Sequence, residues 1–353
     1  IVLAATSASY GDYTLPSGIT AVADGAFSGT DITSLTVPDG VKSIGAYAFA
    51  GCSKLTTVTL PATRGISIGS YAFYGYELVG NQNVAAYTLT SVSNLDKAVS
   101  VGNYCFAATG ITDVNIGADA FVGEGAFFNS KVQQVSIGAN ASFGLGAFQN
   151  CMSLTTVNMP DEGGVYFGKV CFAYDSALRT IDLSKVGTPE KLGVIEAQTF
   201  YGCTSLRRAD LQNVKAVYAN AFGDCGSLGY INIPNVEHLG EGAFGKYSQY
   251  GSGPEVQSVT LPNTLKVMED SVFAGCAYLE EIVIPSSVTQ FGKQMFAYCT
   301  SLKKVTLPSN LKNLGEYTFA GCTSLEEINL ADVETVGAYC FAADGALTDV
   351  HLD

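Results

Sequence analysis

A short unit returns along almost the whole length of this chain, and it restricts the fold more than any other feature. In LGEYTFAGCTSLEEINL (residues 314–330) the first half, LGEYTFAGC, reads as one short helical or 3₁₀ turn. The second half, SLEEINL, alternates apolar and polar residues as a half-buried strand does. The same pattern recurs with its phenylalanine at Phe27, Phe49, Phe73, Phe106, Phe127, Phe148, Phe172, Phe200, Phe222, Phe244, Phe273, Phe296, Phe319 and Phe341. Successive phenylalanines stand 21 to 24 residues apart, except in three longer intervals, Phe73–Phe106, Phe172–Phe200 and Phe244–Phe273. Tyr13-Thr14-Leu15-Pro16 reads as the strand of a partial leading repeat, and Val350-His351-Leu352 as a last strand.

One such unit is too small to bury its own apolar side. Stacked units bury a continuous interior built from the Phe, the apolar residue five before it and three apolar strand positions. The strands then pair as a parallel sheet about 4.8 Å from coil to coil, giving a rod or arc on the order of 70 Å long. The expectation is a single solenoid over residues 1–353, with about fourteen repeats of 21–33 residues and no boundary between domains.

IGAYAFAGCSKLTTVTLP (residues 44–61) and FGKQMFAYCTSLKKVTLP (residues 291–308) resemble the BspA-type, or Treponema-type, leucine-rich repeat. The resemblance covers nearly the whole chain. The common leucine-rich repeat carries Asn or Cys after its strand; here Thr63 follows Leu55, Val58 and Leu60, so no Asn ladder is expected there. The resemblance implies an α/β repeat solenoid: a leucine-rich-repeat-like arc with a parallel sheet on one face and short helical or 3₁₀ turns on the other. It also implies an extracellular or cell-surface protein of a host-associated microbe, with adhesion as its role. It brings no catalytic motif.

Charge and composition exclude several alternatives. The 353 residues carry a net charge of −14, which repels phosphate backbones and argues against nucleic-acid binding. Lys/Arg clusters suited to anionic membranes are absent, and no apolar run reaches the roughly 18 residues of a membrane span. The opening IVLAATSA lacks a basic n-region and reads as a mature or trimmed start.

The ten cysteines invite a redox or metal reading, but their slots oppose it. Cys52, Cys151, Cys203, Cys225, Cys276, Cys299 and Cys322 each stand three residues after the repeat Phe, where other repeats have Thr30, Thr109, Ser130, Asp175 or Asp344. That set suits a side chain bonding a backbone N–H in a turn. Cys105, Cys171 and Cys340 precede the Phe directly, where Ala is usual. Equivalent slots in stacked coils give parallel Cβ vectors, which is poor disulfide geometry. The two histidines, His238 and His351, lie far apart, and no nucleophile elbow, phosphate loop or zinc spacing occurs. Neither catalysis nor a cofactor or metal is expected.

Binding is therefore the function to look for. Alternate strand residues should face outward: short polar groups such as Thr57, Thr59, Ser91 and Ser93 early in the chain, and more charged groups later. Arg208 and Tyr230 stand out there, because Arg and Tyr anchor interfaces far better than Ser or Thr. The insertions holding Tyr74 and Tyr76, and Tyr247 and Tyr250, combine Tyr, Ser and Gly as paratopes do. A further series, Tyr47, Tyr71, Tyr104, Tyr317 and Tyr339, stands two before the Phe and should pack on its neighbours. The first reading is recognition of a host, matrix or other cell-surface protein. A glycan ligand is the second, although the chain has no Trp, and a passive display stalk the third.

Overall fold

The computed structural model describes residues 10–79, 82–246, 248–249 and 251–351. They form two compact units, Ile1–Leu178 and Arg179–Asp353. Each is a parallel-sheet β-solenoid, and in each a coil contributes two short strands.

The first strand is the alternating one. In the first unit Thr57–Thr59 exposes both threonines and buries Val58. It pairs in parallel with Ile32–Thr36 and Ser91–Ser93, so that Leu35, Val58 and Val92 align inside while Ser34, Thr57 and Ser91 align outside. Asp113–Ile116, Gln134–Ile137 and Thr156–Asn158 continue the arrangement. In the second unit the same strands include Arg208–Asp210 with Tyr230–Asn232 and Glu281–Val283 with Lys304–Thr306. Glu281 faces Lys304, and Lys303 Nζ lies 3.1 Å from Glu280, so charges of opposite sign meet between these two coils.

The second strand holds the apolar residue that stands five before the Phe. In the first unit seven of these strands form one sheet: Ala21–Val22, Ser43–Ile44, Ile66–Ile68, Ala98–Val101, Phe121–Val122, Ser142–Phe143 and Tyr166–Phe167. In the second unit five do so, from Gly193–Ile195 to Gln290–Phe291. This second sheet is not evident from the sequence, because runs of two to four residues are too short to show a period. The residue after it is usually Gly, and the reason is proximity: a Cβ on Gly102 would lie 2.4 Å from the Ser70 backbone nitrogen of the adjacent coil.

The segment around the Phe is not a helical or 3₁₀ turn, which corrects the expected α/β class. The residues two before and two after the Phe are left-handed: Tyr47 and Gly51 have φ of 56° and 68°, Asn220 and Asp224 of 52° and 56°, and Tyr317 and Gly321 of 56° and 76°. A right-handed helix cannot pass through such residues. The chain instead makes tandem tight turns. Phe27 N–H donates to Ala48 O of the next coil, whereas Ser28 N–H donates back to Gly25 O. Among the described residues the 3₁₀ helices are Leu95–Lys97 and Leu183–Lys185, both of which follow strands instead of containing the Phe.

The turns deliver the phenylalanines into a stacked column. Ring centroids from Phe27 to Phe172 are 5.0–5.6 Å apart in the first unit. From Phe200 to Phe341 they are 5.2–6.0 Å apart in the second. The planes stay within 15° of parallel. The coil spacing holds the rings at the separation that offset aromatic pairs favour.

The slot three after the Phe serves a different bond from the one anticipated. Its side chains donate to a carbonyl: Thr109 Oγ1 to Phe106 O at 2.8 Å, and Cys52 and Cys225 Sγ to Phe27 and Phe200 O at 3.1 Å. Asp344 and Asp175 are exceptions, and Asp175 is the more deeply buried. Its Oδ1 accepts from the Cys151 N–H at 2.7 Å, its Oδ2 has no partner, and burial pushes its carboxyl well above the usual range.

Phe127→Ala should destabilise the protein by about 3–5 kcal/mol, because the rings on either side cannot close the gap. Denaturant unfolding measures this, and a loss below about 1 kcal/mol would contradict a continuous column. Asp175 yields a pH dependence. With its folded pKa raised above the unfolded value, its contribution is most favourable below the ordinary carboxylate range and is lost as pH rises through the folded pKa. Asp175→Thr, with the side chain of Thr109 in the equivalent slot, should therefore raise the melting temperature at pH 7 and flatten its fall from acid to neutral pH.

Candidate functional site

The strand face of the second unit concentrates the chemistry at one place. Alternation turns Ala209 and Ile231 inward and leaves Arg208 and Tyr230 outside. Parallel pairing sets Arg208 directly opposite Tyr230 and Asp210 opposite Asn232. The Arg208 guanidinium lies over the Tyr230 ring, 4.1 Å from its centroid. Its Nη2 donates to Asp210 Oδ2 at 3.0 Å, and Asp210 Oδ1 accepts from Asn232 Nδ2 at 2.8 Å. A long, flexible cation is thus held by a ring on one side and a carboxylate on the other. The hydrogen bond to Asp210 raises the guanidinium pKa further. Tyr230 nevertheless keeps 42% of its surface exposed. Beside it opens a cavity of about 460 Å³, whose walls include Tyr230, Asn232, Glu255, Gln257 and Ser258. Such a volume falls in the range of ordinary ligand pockets. The sequence singled out Arg208 and Tyr230 but not Asp210 or Asn232, whose roles follow from the register between two coils.

The tyrosines of the first insertion are placed differently. The chain leaves the turn at Tyr74 and forms an antiparallel hairpin, Tyr76–Val79 with Gln82–Ala85. Tyr74 packs edge-on against Tyr71 with centroids 5.2 Å apart, and Tyr76 tilts against Tyr74 at 5.1 Å. The Tyr76 hydroxyl accepts from Asn129 Nδ2 at 2.9 Å. Both therefore join the column of left-handed tyrosines, in which Tyr47 and Tyr71 stack at 4.8 Å and Tyr71 and Tyr104 at 5.4 Å. Burial, then a hydrogen bond to Glu124, pushes the Tyr104 phenol up to about 12. Tyr317 and Tyr339 stack in the same way at 5.0 Å. Tyr247 and Tyr250 lie outside the described residues.

None of the ten cysteines is in a disulfide, and all are buried. Burial raises the Cys105, Cys151, Cys225 and Cys276 thiols far above their usual value, so they are poor nucleophiles and poor metal ligands. His238 Nε2 lies 3.0 Å from Glu269 Oε1. Among the described residues no group of three or more His, Cys, Asp or Glu side chains is arranged to hold a metal ion. No helix there is long and apolar enough to cross a membrane.

Comparison with known proteins agrees with this architecture. The family profile described as "BspA type Leucine rich repeat region (6 copies)" matches residues 6–120, 99–188, 121–251 and 246–353. The chain belongs to the BspA-type leucine-rich-repeat family. Members of this family are typically non-enzymatic scaffolds, and their repeats generally mediate protein interactions. A leucine-rich repeat protein from Bacteroides ovatus has the same fold, with 20% identity, a TM-score of 0.52 and coverage of 96% of this chain and 91% of the other. A leucine-rich cell surface protein from Faecalibacterium prausnitzii is 20% identical, with a TM-score of 0.45 and coverage of 93% and 88%. The Treponema pallidum leucine-rich repeat protein is 25% identical over 48% of this chain and 78% of its own, with a TM-score of 0.39. No curated protein matches.

The buried thiols give a direct test of this chemistry. The native protein should react negligibly with an aromatic disulfide reagent at neutral pH, and all ten thiols should react once it is denatured without reductant. A substantial shortfall in the denatured count would show that some cysteines are paired.

Proposed function

We propose that this chain is an exported, cell-surface recognition protein that binds a host, matrix or other surface protein through the strand face around Arg208 and Tyr230. The observation that carries the reading is the Arg208–Tyr230 pair, fixed at 4.1 Å and bordered by the cavity at Glu255 and Gln257. Arg and Tyr that are already held in place lose little freedom on binding, which makes them effective anchors. The surrounding strand positions are short or singly charged, and they suit the outer part of an interface better than its centre. Family membership supports the surface location and the adhesive role. The same considerations favour binding over catalysis: the Asp210 carboxylate beside the pair is already engaged by hydrogen bonds from Arg208 and Asn232.

The purified chain should bind at least one member of a panel of extracellular-matrix proteins by biolayer interferometry. Arg208→Ala or Tyr230→Ala should weaken that binding about ten-fold or more without lowering the melting temperature. Thr57→Ala on the other unit's strand face should leave it unchanged. Binding that survives both substitutions would remove this face from consideration, and a chain with no ligand on the panel would instead favour a display stalk.

A further inference from the structure

The second unit has a larger cavity away from the strand face, on the side where the tandem turns run. It measures about 720 Å³, and its boundary includes Asn220, Glu241, Lys246, Gln294, Tyr298 and Tyr317. The volume lies well within the range for small-ligand sites. We propose that this cavity is a carbohydrate-binding site, distinct from the Arg208–Tyr230 face and independent of its function.

The cavity exists because the left-handed slots hold small residues in some coils and large ones in others. Asn220 and Gly242 occupy the same slot, two before the Phe, in adjacent coils. A Cβ on Gly242 would stand 2.5 Å from Asn220 Oδ1, so the glycine is what leaves room for that amide. Gly275, Tyr298 and Gly321 occupy the slot two after the Phe in three successive coils. Tyr298 thus rises between two glycines, and 69% of its surface is exposed. A Cβ on Gly321 would lie 2.8 Å from its ring.

One polar atom here is unexplained by the fold. Asn220 is only 7% exposed, and its Oδ1 has no hydrogen-bond partner. A buried amide oxygen without a donor costs free energy, and a ligand hydroxyl reaching it would supply the missing bond. Gln294 Oε1 accepts from Ser271 Oγ at 3.2 Å, which turns a second amide along the same wall.

The lining narrows the ligand class. Glu241 and Lys246 balance each other, so the site has no cationic excess to hold a phosphate or nucleotide. An extended peptide would need unpaired backbone to add a strand. Here the backbone is occupied: Gly242 N–H donates to Asp270 O, Lys246 to Ala274 O, Gly275 to Ala297 O and Tyr298 to Ala320 O. What remains are side-chain amides and hydroxyls, which both donate and accept, beside the exposed ring of Tyr298 and the partly exposed ring of Tyr317. A neutral sugar ring presents this complement, with hydroxyls around its rim and a C–H face to lay on an aromatic ring.

Saturation-transfer-difference NMR of the whole chain with maltose, cellobiose, lactose and chitobiose tests the assignment. At least one should receive saturation at millimolar concentration. Tyr298→Gly and Asn220→Gly suit the left-handed backbone, as the neighbouring glycines in these slots show, so melting temperatures should barely change. Tyr298→Gly should weaken the sugar about ten-fold, and Asn220→Gly should also weaken it. Arg208→Ala should leave it unchanged, which separates this site from the protein-binding face. No transfer to any of the four sugars, or transfer unaffected by both glycine variants, would overturn the proposal. Competition of the sugar by an unstructured peptide would overturn the ligand class.

Discussion

Everything in the two units depends on one spacing, the distance at which the backbone of one coil lies against the next. Parallel strands set it, and the tandem turns must match it. Alternate N–H groups of each turn donate to the following coil, while the others close tight turns within their own. That pattern satisfies the backbone without a helix. It also explains three features that look separate in the sequence. Glycine follows the second strand because adjacent backbones come too close there for a Cβ. The phenylalanines stack because successive coils bring them to the separation their rings favour. Cysteine and threonine recur three after the Phe because a small donor there reaches a carbonyl.

The strand half of the repeat was legible because its period is two and its outcome is local. Val58 buried between Thr57 and Thr59 is the plain result of that period. The Phe half was not, since a segment such as Tyr47-Ala48-Phe49 gives no sign that Tyr47 is left-handed. Tyrosine is an unusual occupant of that conformation, and it disguised the turn as helix. The signal lay in the comparison between coils. Gly125, Gly146, Asn220 and Gly242 fill the same slot as Tyr47, and glycine and asparagine are the residues that accept positive φ. Reading the slot down the column, instead of the repeat along the chain, would have found it.

The candidate sites divide along the same line. Arg208 and Tyr230 were visible because each is unusual among outward strand residues. Their partnership with Asp210 and Asn232 needed the register. The turn-side cavity was invisible, because it is made by what some coils lack. Gly242 and Gly275 open space that Asn220, Tyr298 and Tyr317 border. A site defined by missing side chains leaves no motif.

The pairing of Ser91–Ser93 with Thr57–Thr59 carries one more consequence. The strands match residue for residue, although 34 residues separate Thr57 from Ser91, against 23 between Ser34 and Thr57. The hairpin between Tyr76 and Ala85 absorbs the added length outside the column. Inheritance of such a chain therefore has two permitted kinds of length change: duplication or loss of a whole coil, and growth within a loop. A single codon gained inside a strand would turn its outward residues into the core, and selection would remove it. The solenoid can lengthen, shorten and acquire new loops over generations while its interior hardly changes.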